Sequence, residues 1–194
     1  IHNIKKFGLE VIVAINHFIT DTDKEVKIIE ELCTKLGVKV SLCTHWSDGG
    51  KGTKDLANNV VEICKKSDTS KFKHLYSDET PILEKVKKIA KEIYNAKGIE
   101  VDEKIKEQVK KIEQAGFGRF PVCIAKTQYS FSTDPKLKGA PSGHTLTIRE
   151  VRLSSGAEFV VIVCGSIMTM PGLPRVPAAD SIKLNEKGDI EGLF

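Results

Sequence analysis

The sequence predicts an α/β protein: a parallel β-α-β-α segment over residues 1–66, a helical connector over 67–116 and a small β-rich part over 117–194. Three observations carry this. Two short apolar runs rich in β-branched residues alternate with stretches of helical spacing, the order of a doubly wound sheet. Two further helical stretches follow. The last part holds three strand-sized apolar runs separated by polar loops.

The elements follow in order. Residues 1–8 read as the last turns of a helix closed by Gly8 as its C-terminal cap. A chain that opens in this way is expected to be cut from something longer. Val11-Ile12-Val13-Ala14-Ile15 suits a buried parallel strand. Thr20, Asp21 and Thr22 are all good N-caps for the helix that follows. Val26, Ile29, Leu32, Cys33 and Leu36 recur at helical spacing, and Gly37 ends the run. Residues 38–42 form a second strand and residues 43–52 a loop. Leu56, Ala57, Val60, Val61 and Cys64 mark another amphipathic helix. Residues 67–80 are a polar connector.

Helices are then expected over residues 81–95 and 102–115, with Pro81 in a first turn and Gly98 and Gly116 as punctuation. Residues 121–125, 146–153 and 159–164 read as strands, the last two joined by a turn through Ser154, Ser155 and Gly156. Residues 126–143 form a long polar loop, residues 165–180 are irregular, and Asn185-Glu186-Lys187-Gly188 signals a turn.

Composition excludes several classes. Hydrophobic residues make up 40% and charged residues 29%, the balance of a folded globular chain. No apolar run nears the roughly 20 residues of a membrane span. The net charge of +4 comes from 30 basic and 26 acidic residues that are interleaved, which argues against a nucleic-acid surface. Residues 84–91 and 103–113 alternate in sign and read as solvated helix faces. The five cysteines are odd in number and lack a CxxC, so neither zinc nor dithiol chemistry is expected. Each lies in or beside an apolar segment, which predicts buried free thiols and a reducing compartment.

Ligands of parallel α/β sheets bind beyond the carboxyl ends of the strands. Two loops leave such ends, residues 16–22 and 44–52, and each carries an aromatic, Phe18 and Trp46. Two rings on adjacent strand ends either pad the sheet edge or face each other across a flat heterocycle. Gly49, Gly50, Lys51 and Gly52 precede a helix, so their backbone either binds an anion or simply makes the turn. The P-loop spacing is absent. Lys126, Gln128 and Tyr129 lie at another strand end, where they either bind substrate or cap the strand. Residues 166–174 wall a pocket or pack under the sheet. His17 and His45 read as structural histidines, and Glu100, Asp102 and Glu103 as a helix N-terminus.

Residues 16–22 (NHFITDT), 44–52 (THWSDGGKG), 116–129 (GFGRFPVCIAKTQY), 168–174 (MTMPGLP) and the GLF terminus together resemble formate–tetrahydrofolate ligase, in order and spacing along the whole chain. The resemblance is to the C-terminal third of that family. It implies a P-loop-type nucleotide-binding fold whose phosphate loop lies outside this chain. It implies an enzyme that makes formyl phosphate from ATP and formate, then transfers the formyl group to tetrahydrofolate. It implies Phe18 and Trp46 as a stacking pair for pterin or adenine, and Lys126, Gln128 and Tyr129 near the substrate cleft. It further implies magnesium with ATP, a monovalent cation, a homo-oligomeric parent and a cytoplasmic or mitochondrial setting, with the piece alone inactive. The competing expectation is a non-catalytic folding or oligomerisation module of the same parent.

Overall fold

The computed structural model describes residues 1–167 and 174–192. The reading of residues 166–174 as a pocket wall falls largely outside these, over 168–173, as do the last two residues of the GLF terminus.

A single helical turn, α1 (His2–Lys5), opens the chain, and Gly8 follows at φ +76°. Strands β1 (Ile12–Asn16) and β2 (Lys39–Cys43) pair in parallel, with Val13 opposite Val40 and Ile15 opposite Leu42. Helix α2 (Asp23–Lys35) joins them. Thr22 caps it through a reciprocal box: Glu25 N–H donates to Thr22 Oγ1 at 3.3 Å, and Thr22 N–H donates to Glu25 Oε2 at 2.9 Å. Gly37 at φ +64° closes the helix as expected. The expected loop over residues 43–52 instead contains a helical turn, α3 (His45–Asp48), and a 3₁₀ turn over Gly49–Thr53. Its glycines suggested loop, yet Thr44 holds both pieces: its carbonyl accepts from Ser47 and Asp48 N–H, and its own N–H donates to Gly52 O. Helix α4 (Lys54–Lys66) follows.

The second part is a four-stranded mixed sheet in the order β3-β5-β6-β4, covered by two helices. These are α5 (Ile82–Glu92), β3 (Gly98–Glu100), α6 (Glu103–Ile112), β4 (Val122–Ala125), β5 (Thr145–Ser154) and β6 (Phe159–Cys164). Strand β3 had no local signal, since it is three residues long and formed by parallel pairing with Thr145–Thr147. Asp102 caps α6 by accepting from Ile105 N–H at 2.7 Å, as its place in the sequence predicted. The expected helix over residues 102–115 ends in a π-type turn, Glu113–Phe117, with Gly116 at φ +91°.

Ile82 and Val86 of α5, Ile105, Val109 and Ile112 of α6, and Ile148, Val151, Val160, Ile162 and Cys164 of the strands form one buried cluster. Full burial of each such side chain contributes about 1.5–3 kcal/mol, so this layer is the main core. The helices read as a connector thus share a core with the C-terminal strands. The tail closes as a small antiparallel hairpin, β7 (Lys183–Leu184) with β8 (Ile190–Glu191), through the turn signalled at residues 185–188.

Lys85 departs from the solvated face expected over residues 84–91. It is 0% exposed. Its Nζ donates to Gly118 O at 2.9 Å and Phe120 O at 2.8 Å, and lies 5.7 Å over the Tyr76 ring. Burial pushes its pKa down, opposed by the carboxylates of Asp78, Glu113 and Glu79. The expectation of five buried thiols also needs correction. All five are free, but Cys64 and Cys123 are exposed. Cys64 lies on an uncovered face of α4. Cys123 alternates with Val122 and Ile124, which take the core side of an edge strand.

The N-terminal segment fastens the two parts together. Asn3 Nδ2 donates to Ile93 O at 2.9 Å, Lys6 pairs with Glu92 at 3.2 Å, and Lys73 N–H donates to Phe7 O at 3.1 Å. Phe7 stacks on Phe72 with ring centroids 6.5 Å apart. Gly8 packs so closely that a Cβ there would lie 2.0 Å from Lys71 O.

Candidate functional site

The parallel ladder brings the loops after β1 and β2 side by side, and His17 N–H extends it by donating to Cys43 O at 3.0 Å. The first loop is closed locally. Phe18 N–H donates to Asp21 Oδ2 at 2.8 Å, and Asp21 N–H donates to Phe18 O at 2.9 Å. Hydrogen bonds from the Thr22 backbone and side chain hold the Glu25 carboxyl below the usual range. Phe18 is thereby fixed at the loop tip with 47% of its surface exposed.

The second loop presents Trp46 on the single turn α3, with 74% of its surface exposed. Thr44 Oγ1 donates to Asp48 Oδ2 at 2.6 Å and steadies that turn. The Phe18 and Trp46 centroids stand 5.8 Å apart with planes inclined by 52°. Two van der Waals layers of about 3.5–4 Å each are needed to hold a flat ring between two others. The pair therefore leans together, with outer faces open, and a ring enters between them only after one side chain rotates.

Two of the four glycine-turn positions have backbone reasons for their residues. Gly49 sits at φ +59°, ψ −143°, a region only glycine enters readily. A Cβ on Gly52 would lie 2.5 Å from the Thr44 carbonyl carbon. Gly50 and Lys51 are exposed. Thr53, at the N-cap of α4, makes no side-chain cap, so the first-turn amides have no side-chain acceptor.

Lys126, Gln128 and Tyr129 leave the carboxyl end of β4, in the other sheet. Among the described residues no hydrogen bond or aromatic contact joins them to Phe18 or Trp46. Lys126 is half-buried and engaged. Its Nζ donates to Thr127 O at 3.1 Å and to Ser130 O, and stands 5.0 Å from the Tyr94 ring centroid. Burial pushes its pKa down, against a smaller opposing effect of Cys164. Burial likewise raises the Tyr94 hydroxyl and pushes the Cys164 thiol up to about 11. Gln128 and Tyr129 are exposed and free to reach a ligand. Sequence reasoning missed Tyr94, 32 positions from Lys126 along the chain, because no spacing rule links a helix end to a distant strand end. It also missed His144, whose Nε2 faces Phe131 O at 3.1 Å while its Nδ1 is buried without a partner. Among the described residues no group of three or more His, Cys, Asp or Glu side chains is placed to hold a metal ion, and no helix is long and apolar enough to cross a membrane.

The family model of formate–tetrahydrofolate ligase matches residues 1–194. The chain belongs to the formate–tetrahydrofolate ligase family. Proteins named formate–tetrahydrofolate ligase from Pelagibacter ubique, Hyphomonas neptunium and Roseobacter denitrificans are 64%, 58% and 57% identical to it over 100% of its length. It spans only 34–35% of the length of these ligases. Its strand-end aromatics and its polar motif after β4 thus lie in about a third of a ligase-family chain.

Proposed function

We propose that this chain forms part of the substrate pocket of a formate–tetrahydrofolate ligase, with Phe18 and Trp46 gripping a flat ligand ring. The observation that carries this is the placing of two exposed aromatics at the carboxyl ends of adjacent parallel strands in a family member, where one rotation opens a slot between them. The ring is the pterin of tetrahydrofolate, with adenine as the competing occupant. Residues 1–66 continue a larger nucleotide-binding domain of P-loop type, whose phosphate loop the rest of the parent supplies.

In this reading the parent uses ATP and formate to make formyl phosphate, and the folate amine attacks its acyl carbon. Excluding water protects that labile anhydride. Holding the amine in line removes an entropic barrier of several kcal/mol. Gln128 and Tyr129 contribute hydrogen bonds at the cleft, Lys126 braces the loop that carries them, and the turn from Gly49 to Gly52 offers amides to an anion. Magnesium accompanies ATP in the parent, which also takes a monovalent cation. The parent is a homo-oligomer of the cytoplasm or mitochondrion, in keeping with five free thiols. The 194 residues alone do not turn over.

Trp46→Ala in a full-length ligase carrying this chain should weaken folate or ATP binding about tenfold, the loss of one stacking ring. Titration calorimetry with each ligand checks this, and unchanged dissociation constants for both would sink the stacking role. The inclined, touching geometry of the rings favours a second reading, a packing role in a non-catalytic assembly module. In that case Phe18→Ala or Trp46→Ala shifts melting temperature or oligomer mass and leaves ligand affinity intact.

A further inference from the structure

We infer that the hollow between the N-terminal fastening and α5 is a second ligand site, which takes an aryl carboxylate: an aromatic body with an anionic head. A cavity of about 490 Å³ lies there, within the roughly 300–1,000 Å³ of small-molecule sites. Phe7, Tyr76, Ile89 and Ile93 are among its walls. All four are half-buried, so each gives one side to the fold and leaves another for an occupant. Two aromatic rings among them suit an aromatic guest.

The walls are fixed by contacts of their own. The Tyr76 hydroxyl accepts from Val122 N–H at 3.2 Å, and the Lys85 ammonium stands 5.7 Å from its ring centroid. Phe7 stacks on Phe72, whose ring meets His74 edge-on with centroids 5.0 Å apart. Lys73 N–H holds the Phe7 carbonyl, and Asn3 holds that of Ile93. A site set in this way loses little to ordering when it binds.

Charge decides the head group. A notch of about 280 Å³ adjoins the cavity, and His74 and Leu75 line both. Lys6, Glu92, Lys73 and Lys88 complete the notch. Lys6 and Glu92 pair with each other at 3.2 Å. Among the described residues Lys73 and Lys88 are in no ion pair, so their two charges stand unanswered. Asp78 lines the cavity but not the notch, and its carboxylate acts on the buried ammonium of Lys85. The hollow is thus apolar along its body and cationic at one end. A cation is repelled there and a neutral arene leaves the lysines unmatched, whereas a terminal carboxylate satisfies them. None of these residues belongs to the loops of Phe18 and Trp46, so the site is distinct from the proposed substrate pocket. An occupant touches Phe7 of the fastening together with Ile89 and Ile93 of α5 and its cap. It therefore stabilises the fastened state by mass action.

The test uses a full-length ligase carrying this chain, with naphthoate as the probe and naphthamide as its uncharged counterpart. Calorimetry should show saturable naphthoate binding at about 1 mM or below, and naphthamide binding about tenfold weaker. Lys73→Glu with Lys88→Glu, both at exposed side chains, should weaken naphthoate by about tenfold and leave naphthamide unchanged. Lys110→Glu with Lys111→Glu, exposed on α6 and outside the notch, should change neither. Saturating tetrahydrofolate or ATP should leave naphthoate bound. The inference is overturned by an absence of saturable binding, by equal affinity for the two probes, by the same loss in both lysine pairs, or by displacement with either substrate.

Discussion

At the scale of single residues, the loops of the candidate site are set by a few backbone requirements. Gly52 lies against the Thr44 carbonyl with no room for a methyl group. Gly52→Ala should therefore cost about 1–3 kcal/mol, read as a lower denaturation midpoint, whereas Gly50→Ala, with open space around it, should be nearly neutral. Thr22→Ala removes the hydroxyl that accepts from Glu25 N–H and donates to Glu25 Oε2, and should cost about 1 kcal/mol. Urea unfolding of the three variants ranks these effects. An equal loss for Gly50→Ala and Gly52→Ala would show that the close approach is not what selects glycine at 52.

At the scale of elements, Lys85 joins α5 to the segment that leads into β4. Two half-buried carbonyls accept from its ammonium, which also overhangs the ring of Tyr76, the residue to which Val122 N–H donates. Lys85→Ala opens a cavity and leaves both carbonyls without a donor, a loss of about 3–5 kcal/mol. Lys85→Met keeps the volume and should lose less. The folded pKa of Lys85 lies below the unfolded value of about 10.4. Between the two the unfolded chain binds more protons, so this group makes stability rise with pH across that interval. Cys164 acts in the opposite sense, losing stability as pH climbs from the unfolded thiol value towards about 11. The difference between wild type and Lys85→Met at each pH isolates the lysine. A difference flat across the alkaline range would mean that its burial is not felt as a titration.

Elements also show what the sequence made legible. The strands over residues 11–15, 38–42, 121–125, 146–153 and 159–164 were readable because apolar β-branched runs carry their own pattern. Strand β3 was not, because Gly98–Glu100 becomes a strand only by meeting Thr145–Thr147. Phe18 and Trp46 stood out as large apolar residues in polar strand-end loops, and the parallel register brings them together. Lys85 stayed hidden in a run of alternating charge, since only tertiary packing distinguishes one lysine of such a run from the next. Tyr94 under Lys126 is a contact of the same kind.

At the scale of the molecule, a well-packed C-terminal layer stands beside a β-α-β-α unit with few fully buried side chains. The described hydrogen bonds between the two parts run through residues 3–7. Gly8→Ala, which drives a Cβ into the Lys71 carbonyl, should undo that fastening. Calorimetry should then show the β-α-β-α unit melting ahead of the C-terminal layer. A single cooperative transition at the wild-type temperature would mean that the fastening carries no coupling.

That fastening also has a schedule. Asn3 waits for Ile93 and Lys6 for Glu92, partners 90 and 86 residues further along. Ribosomes add about 5–20 residues per second, so several seconds separate the emergence of the two halves of the clasp. During that interval β1, α2, β2 and α4 leave the exit tunnel with neither α5 nor the C-terminal sheet to lean on. Nascent-chain protection by chaperones is thus expected to be greatest before residue 93 has emerged, and to fall once α5 arrives.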